Sequence, residues 1–222
     1  METFARIRET AAARVGGDEA LRERLVRPEP PESLAMVGDD RYLSVMSRRI
    51  FRAGLQHRMV DARWPAFEAA FLDFDPARVA EMDDGDLRRL GNDERLIRHH
   101  GKLRAVRDNA RAMLDLVAEE GSFGAWLAAW PEDEIVELWF DLSARFSQLG
   151  GNSAPAFLRM AGKDSFLVTD WVTKALNHWD AYEGTPKGKR ALREVQARFN
   201  EWMDESDWPL CRISQTLALS VE

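Results

Sequence analysis

The segment at 146–154, which reads FSQLGGNSA, joins two helical patterns through a pair of glycines. Gly150 and Gly151 give the backbone access to positive φ, which a sharp reversal between two helices needs. Asn152 or Ser153 can cap the second helix, whose first backbone N–H groups lack intrahelical partners. With the positive end of the helix dipole behind them, those N–H groups suit a bound phosphate. The segment therefore predicts an anion-binding helical hairpin.

An aspartate follows this bend, seventeen residues after Ser153. The apolar run from Phe166 to Val168 should return the chain to the core, which leaves Asp170 at the start of a helix over 171–179. Helix, glycine hairpin, helix and a later carboxylate occur together in many proteins. The sequence leaves two interpretations of Asp170 open, a reactive group that works with the bend or the N-cap of its own helix.

Composition favours one compact helical protein or two small lobes. The chain has 222 residues, 45% of them hydrophobic, and its apolar residues recur at helical spacing with few alternating runs. We therefore predict an all-α fold. The single cysteine, Cys211, excludes an internal disulfide, a four-cysteine iron–sulfur cluster and a cysteine-rich zinc site. No apolar run spans a bilayer and no secretory segment is evident, so we expect a cytoplasmic protein without membrane or metal.

The net charge of −7 argues against indiscriminate binding to nucleic acid, because phosphate contacts need lysine or arginine. The positive charges nevertheless cluster in two stretches, and the first includes His99 and His100. The stretches consist of Arg95, Arg98, Lys102, Arg104, Arg107 and Arg111, and of Lys187, Lys189, Arg190, Arg193 and Arg198. Solvated helix faces and a DNA-facing surface are both open interpretations.

The predicted elements divide the chain into three parts. Residues 1–35 should hold two helical pieces and an extended proline-rich linker at 28–32. Residues 36–120 should form a helical lobe that ends in a long helix over 96–116. Residues 121–222 should hold the hairpin, Asp170 and the C-terminal helices.

The hairpin resembles that of the helix-hairpin-helix DNA glycosylase superfamily, which reads L-P-G-V-G-x-K-T-A with a catalytic aspartate downstream. Ser153 and Ala154 fall on the T-A of that motif, Gly150 on its second glycine and Gln148 on its first. Asn152 stands in the place of the lysine. The resemblance implies a helix-hairpin-helix DNA glycosylase fold with two helical lobes flanking a cleft.

Residues 40–117 also resemble the 3-methyladenine DNA glycosylase I family. The shared words are Ala53-Gly54-Leu55, Phe74-Asp75-Pro76, Val79 to Met82 and Ile97 to Arg111. Three departures stand out. The zinc site of that family has no counterpart here, Arg49 replaces the glutamate that recognises the methylated base, and His57 replaces a tryptophan.

The resemblances imply roles for two residues. Asp170 is the predicted catalytic carboxylate, and Leu55 is the predicted plug for the gap that an extruded base leaves in the duplex. The remaining candidates follow from residue chemistry, since indoles attract a cationic alkylated purine and the hairpin amides suit a phosphate, and Arg49 and His57 stand beside the Ala53-Gly54-Leu55 loop. These candidates are Trp139, Trp171, Arg49 and His57 for the base, and Gln148, Leu149, Gly150, Gly151, Asn152 and Ser153 for the phosphate.

The predicted function is a monofunctional glycosylase that excises alkylated purines from double-stranded DNA. The resemblance implies that the lysine of this motif forms a Schiff base in the bifunctional members of the superfamily, and because Asn152 stands there we expect no strand-cleaving lyase activity. No cofactor is expected, and a monovalent cation at the hairpin is left open, as is the oligomeric state. The alternatives are a non-catalytic DNA-lesion or DNA-structure binder of the same fold and, more remotely, a helical protein-interaction module.

Overall fold

The computed structural model describes residues 2–221, which contain fourteen α-helices and no strand. The predicted all-α fold is therefore confirmed. The helices are α1 (Phe4–Val15), α2 (Asp18–Arg24), α3 (Pro31–Met36), α4 (Asp39–Arg52), α5 (His57–Ala70), α6 (Pro76–Ala80), α7 (Asp84–Asn92), α8 (His100–Glu120), α9 (Phe123–Ala129), α10 (Ile135–Arg145), α11 (Ser153–Ala161), α12 (Asp170–His178), α13 (Gly188–Ser206) and α14 (Leu210–Val221). Short 3-10 helices lie at Leu72–Phe74 and Glu132–Glu134.

The chain forms two compact units. The central unit consists of Pro30–Ala129 and Trp139–Lys163, and the terminal unit of the described residues up to Glu29, Trp130–Leu138 and those from Asp164 onward. This division differs from the boundaries expected at residues 35 and 120. The hairpin belongs with the central unit because α11 packs against α4, whereas Asp170 belongs to the terminal unit.

The central unit is organised around α4, against which α5, α8 and α11 pack. Tyr42, Met46 and Ile50 lie along its buried face at helical spacing. Trp64 of α5 stacks on Phe74 with ring centroids 5.4 Å apart, so the aromatic residues of α5 and of the following turn share one core. These contacts fix the end of α4, where Arg49 and the Ala53-Gly54-Leu55 loop lie.

The terminal unit packs α14 against α1 and α12. Phe166, in the apolar run that precedes α12, stacks on Phe199 of α13 at 4.1 Å between centroids. The indole Nε1 of Trp179 donates to Ser220 Oγ at 2.9 Å and ties the end of α12 to α14. The apolar run thus returns the chain to the core, as its composition predicts.

Two details of the expected elements are wrong. Pro31 begins α3 rather than extending the linker, because a proline at the first helical position lacks only an N–H that would be unpaired anyway. The long helix begins at His100, not Leu96. The ring Nδ1 of His99 accepts the backbone N–H of Lys102 at 3.3 Å and so caps α8.

Asp164 is a buried carboxylate that supports the terminal unit. Its two oxygens accept the backbone N–H groups of Leu210 and Cys211, each at 2.8 Å, at the start of α14. Burial raises the pKa of Asp164, and the hydrogen bonds from Cys211 and Leu210 oppose that shift. Asp164 therefore acts as a cap for a helix that lies far from it in sequence.

We predict that Asp164→Ala lowers the stability of the protein by about 2–4 kcal/mol, because it leaves two buried N–H groups without acceptors. Chemical denaturation measured by circular dichroism tests this. Asp170→Ala is the matched control, since Asp170 is exposed, and should change stability by less than about 1 kcal/mol. Equal destabilisation by both substitutions would contradict the assignment.

Candidate functional site

The hairpin joins α10 to α11 through residues 146–152. Its backbone takes positive φ at Gln148 (62°) and Gly151 (57°), and not at Gly150. The backbone N–H of Ser153 donates to Gly150 O at 3.2 Å and closes the turn. The expectation that both glycines serve the reversal is therefore wrong for Gly150. Gln148 carries the left-handed conformation at the place where the related motif has its first glycine.

A buried asparagine holds the hairpin against α8. The side chain of Asn109, 0% exposed, accepts from Ser147 N at 2.6 Å and donates to Ser147 O at 3.1 Å. Gln148 adds a third contact, in which its Nε2 donates to Gly101 O at 3.1 Å. The sequence alone assigned no role to Asn109. The signal that could have found it is a polar amide among the apolar residues on the buried face of α8.

The hairpin residues differ in what they expose. Gly150, Gly151 and Asn152 are exposed, whereas the side chains of Leu149 and Ser153 are buried. Leu149 can therefore offer a ligand only its backbone, because its side chain is part of the core. Asn152 takes the N-cap position of α11, and its side chain makes no capping hydrogen bond to that helix.

The Ala53-Gly54-Leu55 loop follows α4. Gly54 adopts a φ of 75°, and Leu55, which is half-buried, donates its N–H to Arg52 O at 3.2 Å. The ammonium of Lys102 donates to Ala53 O at 2.6 Å. Because the neighbouring Gly101 accepts from Gln148, the first turn of α8 connects this loop to the hairpin.

The three base-pocket candidates of the central unit differ in exposure. Arg49 is half-buried, one helical turn before Ala53. His57 is exposed as the first residue of α5, and Trp139 is 4% exposed within α10. A base could stack on Trp139 only after core side chains move, so its role in a pocket stays a prediction.

Asp170 and Trp171 form the first turn of α12 in the terminal unit. Thr169 caps this helix, since its Oγ1 accepts from Val172 N at 3.2 Å, so the interpretation of Asp170 as the N-cap is wrong. The Asp170 side chain is exposed. Trp171 is 44% exposed, and the Lys174 ammonium lies 4.8 Å from its ring centroid.

Much of the first basic stretch is engaged within the protein. Arg95 pairs with Asp93 at 2.7 Å and Arg107 with Asp84 at 2.8 Å. Hydrogen bonds with Arg95 lower the pKa of Asp93 to about 2. Arg98 and Arg104 are exposed on the surface. The exposed pair of Arg95 can exchange for a DNA phosphate at little cost, whereas the side chain of Arg107 is largely buried, and a DNA-facing role for this stretch stays a prediction.

In the second basic stretch, Arg193 pairs with Glu137 and Arg190 with Glu194. Residues 2–221 hold no group of three or more histidine, cysteine, aspartate or glutamate side chains arranged to bind a metal ion. In the same range, no helix has the length and apolarity that crossing a membrane requires.

We predict that Gln148→Gly leaves stability within about 1 kcal/mol of the original, since the relief of the left-handed strain offsets the lost hydrogen bond to Gly101. Gln148→Val should lose about 2 kcal/mol, because a β-branched residue tolerates positive φ poorly. Urea denaturation gives both values. Gln56→Gly is the control: this exposed glutamine has a φ of −67° at the N-cap of α5, so there is no left-handed strain to relieve, and glycine is accepted at an N-cap, which predicts a change within about 0.5 kcal/mol. A large loss in Gln148→Gly would contradict the strain argument.

The chain is similar to known DNA glycosylases in sequence and in structure. The Escherichia coli (strain K12) protein DNA-3-methyladenine glycosylase 1 is 42% identical over 65 residues, which are 29% of this chain and 35% of that protein. The match thus spans about a third of the relative. A crystal structure of 3-methyladenine DNA glycosylase I aligns with a TM-score of 0.52 at 25% identity, over 65% of this chain and 86% of the other.

The structure of Methanocaldococcus jannaschii 8-oxoguanine DNA glycosylase aligns over 96% of this chain and 91% of its own, with a TM-score of 0.58 at 13% identity, which shows a shared fold. The predicted helix-hairpin-helix glycosylase fold is therefore confirmed. A sequence model of the methyladenine glycosylase family matches residues 34–147, just over half of the chain, and ends immediately before Gln148. The chain belongs to the methyladenine glycosylase family.

Proposed function

We propose that this protein is a monofunctional DNA glycosylase that releases alkylated purines, of the 3-methyladenine type, from double-stranded DNA. Membership of the family and the names of its relatives support this proposal. The observation that carries it is Asp170, whose carboxylate is exposed in the first turn of α12 while Thr169 performs the capping. An exposed carboxylate that does not cap its helix, in a family of glycosylases, is a candidate catalytic residue.

The proposed reaction hydrolyses the N-glycosidic bond of a nucleotide that has left the base stack. As the bond breaks, positive charge develops on the sugar, and the Asp170 carboxylate stabilises that oxocarbenium-like state. The same carboxylate orients or deprotonates the attacking water. A purine alkylated on a ring nitrogen is cationic and leaves readily, so one carboxylate suffices and no second acid is required.

The hairpin supplies the grip on DNA in this proposal. Gly150 is exposed, its φ lies outside the left-handed region, and a Cβ built there would meet only Ser143 Oγ, at an ordinary 3.7 Å. Neither backbone conformation nor internal packing therefore calls for glycine at this position. A ligand that approaches the bare backbone closely does, and a sugar-phosphate chain fits that description.

Two further assignments complete the proposal. Leu55, half-buried in a loop with a left-handed Gly54, would enter the gap left by the extruded base. The side chain of Asn152 has no amine that could form a Schiff base, so the enzyme would leave an abasic site with both strands intact.

We predict that Asp170→Asn lowers base release from methylated duplex DNA about 10²–10⁴-fold and leaves DNA affinity nearly unchanged. Mass spectrometry of the released bases measures the first effect, and fluorescence anisotropy measures the second. Asp115→Asn is the control, because Asp115 is an exposed carboxylate of α8 in the central unit. Full activity in Asp170→Asn would remove the proposed role of this residue.

We also predict that Gly150→Ala weakens DNA binding about tenfold. Its thermal stability should stay the same or rise slightly, because alanine lowers the conformational entropy of the unfolded chain. Gly151→Ala is the comparison: its φ of 57° makes alanine strained, so this variant should be less stable. Unchanged DNA affinity in Gly150→Ala would show that the hairpin backbone does not contact the ligand.

A second candidate, a non-catalytic binder of DNA lesions or DNA structure, is favoured by Arg49, which stands where the related family has its base-recognising glutamate. Release of no base from any damaged duplex, combined with salt-dependent DNA binding, would favour the binder. Binding without salt dependence would exclude both DNA functions.

A further inference from the structure

Arg49 is an unusual cation in the central unit. Its side chain is half-buried, and its buried Nε has no hydrogen-bond partner. Burial, together with the charge of Arg52, lowers the pKa of Arg49. A guanidinium that has left water normally gains a carboxylate or another acceptor, because its desolvation is otherwise uncompensated.

Asp61 of α5 pairs with the other two arginines near the end of α4. Asp61 accepts from both Nη2 and Nε of Arg52, with a shortest distance of 2.7 Å, and from Arg48 Nε at 2.9 Å. Of the three arginines near the end of α4, Arg48 and Arg52 therefore share one carboxylate, and Arg49 makes no ion pair with it.

A second cation adds to the charge. The side chain of Lys102, 8% exposed, donates through Nζ to the carbonyl oxygens of Ala53 at 2.6 Å and Phe51 at 3.4 Å. Burial lowers the pKa of Lys102, and the charge of Arg49 lowers it further. Since Ala53 lies one turn after Arg49, the two cations belong to one positive site beside the Ala53-Gly54-Leu55 loop.

This arrangement works against folding. Like charges held in a partly buried site repel each other, and an unsatisfied guanidinium donor adds a desolvation penalty. Packing alone would favour an uncharged side chain at position 49. Residues that lower stability in this way are typical of binding sites, where the missing partner arrives with the ligand.

We propose that Arg49 and Lys102 form an acceptor-binding site beside the Ala53-Gly54-Leu55 loop, which takes an oxygen of the damaged nucleotide. The inference rests on the proposed function for the identity of its ligand. Two oxygens have the required chemistry, a backbone phosphate oxygen and the carbonyl of a purine. A guanidinium donates well to the carbonyl of guanine, whereas adenine presents an amino donor at the same position. If the ligand is the base, alkylated guanines are the preferred substrates.

The first test uses inorganic phosphate as the probe and needs no DNA. Without phosphate, Arg49→Gln should unfold at a temperature equal to or about 2–4 °C above that of the original protein, because a repulsive cation is gone. With phosphate, the original protein should gain more thermal stability than Arg49→Gln does. Arg58→Gln, at an exposed arginine of α5, is the charge-matched control and should keep the full phosphate response.

The second test separates the two oxygens. A phosphate contact predicts that Arg49→Gln lowers the salt slope of DNA binding by about one, equally for all lesions. A base contact predicts that Arg49→Glu shifts the ratio of methylated guanines to methylated adenines released from methylated DNA at least about tenfold towards adenine.

The proposal and the proposed function can fail separately. A gain in thermal stability with phosphate that depends on Arg49, without release of any base, would support the acceptor site and contradict the proposed glycosylase activity. Base release with an unchanged phosphate response, salt slope and base ratio in the Arg49 variants would overturn the acceptor site and keep the activity. A loss of thermal stability in Arg49→Gln, with no change in the other readings, would show a structural role and also overturn it.

Discussion

The hydrogen bonds between Asn109 and the backbone of Ser147 are the contact on which the candidate site depends. Asn109 is fully buried, so its amide must be satisfied inside the protein, and the bend after α10 supplies both a donor and an acceptor. The bend is therefore held in one position relative to α8. The start of α8 then reaches both sides of the candidate DNA interface, through Gly101 to the hairpin and through Lys102 to the Ala53 loop. A rigid helix with a buried polar anchor gives loop residues the precision that ligand contacts need.

Two aspartates of the terminal unit, Asp164 and Asp170, differ in burial and in what they contact. Asp164 is buried and bonded to the start of α14, so its charge serves the fold. Asp170 is exposed and is relieved of capping by Thr169, so its charge is available to a substrate. The same type of side chain is thus structural where buried N–H groups need an acceptor, and exposed where none does. The family match ends at residue 147, and for this reason the proposed role of Asp170 rests on its own geometry and on the superfamily resemblance.

The arginines also differ in whether they have a carboxylate partner. The protein is acidic overall, and many of its arginines are paired with nearby carboxylates such as Asp84, Asp93 and Glu137. Exposed pairs, such as those of Asp93 and Glu137, contribute little to stability and are readily exchanged. Arg49 differs because it is partly withdrawn from water without such a partner. The acceptor site proposed for Arg49 and Lys102 follows from this lack of a partner.

The sequence by itself determined the fold class, the hairpin and the identity of the candidate carboxylate. The helical spacing of apolar residues, the glycine pair and the motif words are local signals. They can be recognised in the sequence because helices and turns are formed by hydrogen bonds between residues close in the chain. Only the tertiary structure showed that Gln148 rather than Gly150 carries the left-handed backbone, that Thr169 caps α12, and that the hairpin belongs with α4 and α8. It also showed that Arg49 lacks the carboxylate that Arg48 and Arg52 share. The cap by Thr169 is local, but several side chains compete for such a position, and local pattern does not decide which one bonds. The position of the hairpin and the pairing of the arginines depend on packing between residues far apart in the chain.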